Sequence, residues 1–204
     1  MIIKPVSGAK GEGIIFVQKQ KETIVLKTDD MEKVFTEKEL EEWVTELLLN
    51  DDTYLVQPYI RSLTKAGKSY DFRLHVQKNG EGRWVTTAVY PRIAEQGVIA
   101  NLSQGGYTSF LDSFLEMQFG EESYNMKRYL EIFSLQFSNQ FDSLYENKLD
   151  ELGNDVGIDE NQKIWLFEVN WRPGVLIIFN LEIDIAKTTI KYAVYLAQRS
   201  KKVK

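Results

Sequence analysis

Tyr70 to Gln77 alternates Phe72, Leu74 and Val76 with Asp71, Arg73 and His75. Successive strand side chains point to opposite faces, so this segment predicts a half-buried strand whose polar face carries an acid, a guanidinium and an imidazole. Asn79-Gly80-Glu81-Gly82 then turns the chain into a second long strand, Arg83 to Ile93. Upstream, Met1–Val6, Ile14–Val17 and Thr23–Leu26 read as strands, the first two separated by a glycine-rich loop. Thr36 and Glu39 form a capping-box pair ahead of Leu40, Trp43, Leu47 and Leu48, which predicts a helix over 37–49, and Tyr54–Ile60 returns to strand. Tyr129, Leu130, Phe133, Phe137, Phe141, Leu144 and Tyr145 make an apolar stripe, predicting a long helix over 124–149, and a last helix spans 183–198 before a basic tail. The pattern divides into a small β-rich lobe with one helix, residues 1–52, and a larger lobe of antiparallel sheet and helices, residues 53–204.

Near the C-terminus, Asn154–Asp159 and Lys163–Val169 flank the polar stretch Glu160-Asn161-Gln162 and read as a hairpin. With Asn161-Gln162 as a two-residue loop, Asp159 pairs with Ile164, and counting back sets Asp155 opposite Glu168, with Asn170 on the same side. Facing carboxylates repel, and a hard divalent cation that takes carboxylate and amide oxygens removes the cost. A solvated hairpin with a charged outer face is the plain alternative. Val156, Ile158, Trp165, Phe167 and Val169, assigned to the other face, argue for burial and hence for a metal site at Asp155, Glu168 and Asn170.

Composition narrows the chemistry. The 204 residues are 43% hydrophobic, enough for one core or two small lobes. There is no cysteine, which removes disulfides, thiolate metal sites and Cys nucleophiles, and His75 is the only histidine, which argues against His-rich zinc sites and a Ser-His-Asp triad. A net charge of -5 speaks against general nucleic-acid binding while leaving room for a local basic pocket. No apolar run has membrane-spanning length and the N-terminus lacks signal-peptide organisation, so a cytoplasmic location is expected. Met1-Ile2-Ile3-Lys4-Pro5 reads as a strand already under way, as in a short chain or a piece of a longer one.

Ser7-Gly8-Ala9-Lys10-Gly11-Glu12-Gly13 lies between strands, whereas a Walker loop opens a helix and ends in Gly-Lys-Ser/Thr. Such a loop can still fold over phosphates, offering backbone N–H groups that glycine lets approach closely, with Lys4 supplying a cation; a tight hairpin would use the same residues. Pro58 in Tyr54–Ile60 frees neighbouring backbone groups for a ligand, although an edge strand explains it equally. Arg73 offers a planar fork to phosphate or carboxylate, Asp71 could accept from a ribose hydroxyl, and a surface ion pair is the bland alternative. His75 is expected to line the site rather than act as a general base. Arg92 and Asn101 bracket a loop suited to an acyl or phosphoryl group.

In order along the chain, IKPVSGAKGEGI, LVQPYI, YDFRLHVQKNGEGRW, ANLSQGG and WLFEVNWRPG resemble the ATP-grasp superfamily, and within it the YheC/YheD group of endospore coat-associated proteins. The resemblance covers nearly the whole chain and implies an α+β ATP-grasp fold of two antiparallel lobes. It implies ATP and Mg2+ as ligands. Lys4 would contact the α and β phosphates under a loop including Ser7, Gly8, Gly11 and Gly13, Gln57 and the Tyr59 backbone would read adenine, and Asp71 would hold the ribose. Asp155, Glu168 and Asn170 would carry Mg2+, while Arg73, Arg92 and Asn101 would face the γ-phosphate and an acyl phosphate.

The activity implied is ATP-dependent carboxylate–amine ligation through an acyl phosphate, with unidentified carboxylate and amine substrates. It needs positioning and charge neutralisation rather than a protein nucleophile. The resemblance implies a preceding domain with a further lysine, both of which would come before Met1. An inactive nucleotide-binding or structural spore-coat protein, and a phosphotransferase using the same metal clamp, stand as alternatives. Expected partners are the missing N-terminal domain, spore-coat proteins, or a second copy if an open lobe interface leaves apolar surface uncovered.

Overall fold

The computed structural model describes residues 1–6, 13–28, 31–49, 53–95, 106–174 and 180–202. They form two compact units, Met1–Ile60 and Arg61–Lys204.

In the first unit, β1 (Ile2–Pro5), β2 (Ile15–Gln20), β3 (Thr23–Lys27), β4 (Glu32–Phe35) and β5 (Tyr54–Gln57) make an antiparallel sheet in the order β4-β3-β2-β1-β5. Strand alternation puts Ile3, Ile15, Val17, Ile24 and Leu26 on one face, where Leu40 and Trp43 of α1 (Glu37–Leu49) pack on them. The capping box forms reciprocally: the Thr36 N–H donates to Glu39 Oε2 at 2.8 Å and the Glu39 N–H to Thr36 Oγ1 at 3.3 Å. β5, which the sequence pattern put at the head of the second lobe, is hydrogen-bonded to β1 within this sheet, with Ile2 opposite Gln57 and Lys4 opposite Leu55.

The second unit is built on β6 (Tyr70–Lys78), β7 (Trp84–Ile93), β8 (Tyr107–Thr108), β9 (Glu151–Ile158) and β10 (Ile164–Trp171), again antiparallel, in the order β10-β9-β6-β7-β8. One face carries Tyr70, Phe72, Leu74, Ile93, Val156 and Ile158, covered by Phe114 and Leu115 of α2 (Leu111–Phe119) and Met126 and Leu130 of α3 (Ser123–Ser143). At roughly 1.5–3 kcal/mol per fully buried large apolar side chain, this face is the main cohesive element of the unit. The opposite face carries the polar set of β6. α4 (Leu181–Lys202) covers its Gln77 end, through Leu181 and Ile185 on Ala88 and Tyr90 and a 2.8 Å hydrogen bond from Gln77 Nε2 to Thr189 Oγ1.

Three expectations change. α3 ends at Ser143 rather than near Leu149, and its buried face is Met126, Leu130, Ser134, Ser138 and Asp142. Phe133, Phe137 and Phe141 stack along its half-buried flank instead, while Leu144 and Tyr145 are exposed. Serines fit the inward positions because the sheet beneath presents polar partners, Thr86 to Ser134 at 2.9 Å and Asn154 to Ser138 at 3.3 Å. β4, β8 and α2 are additional elements. Among the described residues, no helix is long and apolar enough to cross a membrane.

Candidate functional site

The polar face of the second sheet gathers four charged side chains from its three central strands. Arg92 stands directly opposite Asp71 across β6–β7, and Asp155 directly opposite Arg73 across β6–β9. Arg92 donates from Nε to Asp71 Oδ1 and from Nη2 to Asp71 Oδ2, both at 2.7 Å, and its Nη2 lies 2.9 Å from Asp155 Oδ2. Arg73 meets the same aspartate in a two-pronged pair, Nε on Oδ1 and Nη2 on Oδ2, the latter at 2.9 Å. Asp71, Arg73 and Asp155 are all buried. Isolated ions would be very costly there, and alternation of sign with shared hydrogen bonds is what makes the cluster tenable.

Burial drives the Asp71 carboxyl up to about 6, against the pull of Arg92. Arg92 is held above its ordinary range because the adjoining Asp71 and Asp155 outweigh the opposing effect of its own burial. Tyr90, buried and opposite Arg73, is also raised, chiefly by burial.

The hairpin adds the third acid. Asp155 pairs with Glu168, as the count along the sequence requires, but by another route. The turn is the three-residue Glu160–Gln162, closed by the Asp159 N–H on Lys163 O, with Gln162 left-handed at φ 61°. Ile158 therefore faces Ile164, a register one residue short, and a bulge at Phe167 restores it. The bulge turns Phe167 onto the Asp155 side, where its ring lies over Gly157, a correction to the face expected for it. Asn170 Nδ2 donates to Glu168 Oε1 at 2.8 Å and to Asp155 Oδ2 at 3.4 Å, so the three residues read as a metal set do converge. Glu168 is exposed, Asn170 half-buried and Asp155 fully covered; β9 is buried from Leu152 to Ile158, whereas β10 is an edge strand.

Two carboxylates and an amide suit a hard cation that retains water ligands. Among the described residues no group of three His, Cys, Asp or Glu could hold a metal, so a cation at Asp155 and Glu168 would need the amide oxygen of Asn170 as a further donor. In the arrangement described its NH2 points at the acids, and a flip of the amide would present the oxygen.

In the first unit, the pairing of Ile2 with both Phe16 and Gln57 sets Lys4, Phe16 and Gln57 on the face opposite α1. Tyr59 packs edge-on against Phe16 with ring centroids 4.6 Å apart. Gly13 has φ +74°, and a Cβ there would come within 3.3 Å of the Pro5 ring, so glycine is needed at this point. Ser7, Gly8, Gly11 and Asn101 lie outside the described residues.

His75 is completely buried, with Nε2 2.7 Å from Glu151 Oε1. Glu151 and Gly153 escaped the sequence reading, and Pro173 entered it only as part of the closing motif. Gly153 leaves room for two neighbours: a Cβ would come within 2.8 Å of Pro173 Cγ and 3.0 Å of Arg73 Cδ. The Pro-Gly that follows β10 was the available signal for that packing.

The family model for YheC/D-like ATP-grasp proteins matches residues 1–196. The chain belongs to the YheC/D-like ATP-grasp family. It is similar to two Bacillus subtilis (strain 168) proteins, the endospore coat-associated protein YheD, 28% identical across 97% of this chain and 46% of YheD, and YheC, 30% identical across 85% of this chain and 48% of YheC. It thus spans about half the length of these relatives. Among solved structures, the C-terminal domain of K. lactis Pby1, an ATP-grasp enzyme interacting with the mRNA decapping enzyme Dcp2, matches with a TM-score of 0.50 at 14% identity, over 90% of this chain and 52% of that one. That likeness concerns the fold alone: an α+β ATP-grasp architecture with two five-stranded antiparallel sheets. ATP and Mg2+ are the ligands of ATP-grasp proteins in general.

Proposed function

We propose that this chain binds MgATP and supports ATP-dependent activation of a carboxylate for attack by an amine. The observation that carries the reading is the convergence of Asp155, Glu168 and Asn170 beside Arg73 and Arg92 on one sheet face. With Asp71 included, three carboxylates against the Arg73 and Arg92 guanidiniums leave the cluster one negative charge, which favours a cation over a bare phosphate.

Asp155, Glu168 and Asn170 would hold Mg2+, which neutralises phosphate charge when bound. Arg73 and Arg92 would turn donors from Asp155 toward the γ-phosphate and, after transfer, toward the acyl phosphate. Lys4 and the backbone of the loop containing Ser7, Gly8, Gly11 and Gly13 would take the inner phosphates, and Gln57 and Tyr59 the adenine. Asn101 would assist at the acyl group. The carboxylate oxygen attacks the γ-phosphorus with loss of ADP; the amine then attacks the carbonyl carbon with loss of phosphate, giving an amide. Rate would come from alignment and charge compensation. The coat association in the names of YheD and YheC suggests a spore-coat setting, with coat proteins or a second copy as partners and a cytoplasmic site of synthesis.

The test is calorimetric titration of ATP with and without Mg2+ into the unaltered chain, Asp155→Asn and Glu168→Gln. Loss of the Mg2+-dependent part of the affinity in both variants is expected. Unchanged affinity in both would reject the metal assignment. Release of ADP without an amide product would favour phosphotransfer to a hydroxyl, and MgATP binding without turnover a non-catalytic coat role.

A further inference from the structure

Asp71 was read as the ribose ligand, and its surroundings argue for another task. A carboxylate that accepts from sugar hydroxyls must present an oxygen to the ligand. Asp71 sits near the start of β6, the middle strand of its sheet, and is only 7% exposed. Both its oxygens already accept from Arg92, at 2.7 Å each, and whereas the MgATP reading turns the Arg73 and Arg92 donors of Asp155 toward phosphate, it leaves the Asp71 pair in place. Such a two-point pair fixes the plane of the guanidinium as well as its place. With Nε and Nη2 held in this way, the same Nη2 reaches Asp155 at 2.9 Å, so the orientation of Arg92 relative to the proposed metal ligand is set from behind by Asp71.

We propose that Asp71 is a positioning residue for Arg92, acting on the phosphate and metal end of the nucleotide through that guanidinium and making no contact with the sugar. The assignment rests on the MgATP reading. It separates two behaviours that a ribose ligand would join. Loss of a ribose ligand weakens ATP and ADP alike and removes discrimination against deoxy sugars. Loss of an Arg92 anchor weakens ATP selectively and leaves sugar discrimination as it was.

The experiment measures ATP, ADP, 2′-deoxy-ATP and 3′-deoxy-ATP affinities by calorimetry, with Mg2+ present, for the unaltered chain, Asp71→Asn, Arg92→Ala and the double variant, each checked for a cooperative thermal transition. The expected result for Asp71→Asn is an ATP affinity reduced about tenfold, the size of one charge-assisted contact. ADP should change less than threefold, and the ratio of ATP to each deoxy analogue should match that of the unaltered chain. Adding Asp71→Asn to Arg92→Ala should cost nothing further, because the anchor has no arginine left to hold. Equal losses for ATP and ADP, collapse of the sugar ratios, or additive effects in the double variant would overturn the assignment while leaving the MgATP reading intact. Failure of the unaltered chain to bind ATP at all would overturn both.

Discussion

The buried Asp71 makes stability depend on pH in an unusual direction. Its carboxyl is raised from 3.8 to about 6, chiefly by burial. Between those values the folded chain keeps a proton that the unfolded chain has released, so stability from this group is fully present below about 4 and is lost as pH rises through 6. The two values lie about two apart, which corresponds to roughly 3 kcal/mol. For a chain of this length that is about 6–12 °C in the unfolding midpoint. Asp142 and Asp150 oppose the trend in the unaltered chain. Hydrogen bonds and charge, from Lys78 to Asp142 and from Arg172 to Asp150, outweigh burial and hold both carboxyls below their ordinary range, so their contributions fade in acid. The informative quantity is therefore the difference between Asp71→Asn and the unaltered chain, measured by urea unfolding from pH 4 to pH 7.5. It should move in favour of the variant by about 3 kcal/mol as pH rises from 4 to 7. Parallel curves for the two proteins would refute the buried, reluctant carboxylate on which the description of the cluster depends.

Gly153→Ala sets a Cβ within 3.0 Å of Arg73 Cδ and closer still to Pro173, so it should destabilise the chain by about 1–3 kcal/mol in denaturant and weaken ATP binding; a neutral substitution would show that this packing is looser than described. Lys78 and Asp142 form a buried pair at 2.8 Å. Lys78→Met should cost about 3–5 kcal/mol, and adding Asp142→Asn should recover part of it by removing the stranded charge, whereas strictly additive losses would contradict the pairing. Deleting the bulge residue Phe167 straightens the strand with Leu166 still opposite Val156 and Glu168 still opposite Asp155, so Mg2+-dependent ATP affinity should survive the deletion; its loss would show that the bulge itself shapes the ligand set.

How much of this was legible depended on whether local pattern or tertiary context decided the outcome. β6 announces itself because its alternation is strict and both its faces are used, and α1 because its capping box is complete. The Asp155–Glu168 pair was reached by counting, yet the count assumed a two-residue turn; the left-handed Gln162 and the bulge at Phe167 shift the register in opposite senses and cancel. α2 carried its own signal, Leu111, Phe114, Leu115 and Phe119 at helical spacing, whereas β4 is a four-residue edge strand with charged positions and little pattern to find. The inward face of α3 could not be read locally, since Ser134 and Ser138 are buried only because Thr86 and Asn154 wait beneath them. At the site, residue types gave the proposed chemistry but not its geometry. That Arg73 and Arg92 both close on Asp155, and that Asp71 spends both oxygens on Arg92, required the strand order β9-β6-β7.

The central claim, that this chain binds MgATP, is tested most directly by its thermal midpoint with ATP, with Mg2+ and with both. A ligand present at a hundred times its dissociation constant stabilises the folded chain by about 2.7 kcal/mol, so both together should raise the midpoint by about 5–11 °C, and either alone by much less. An unchanged midpoint at millimolar MgATP would contradict the account.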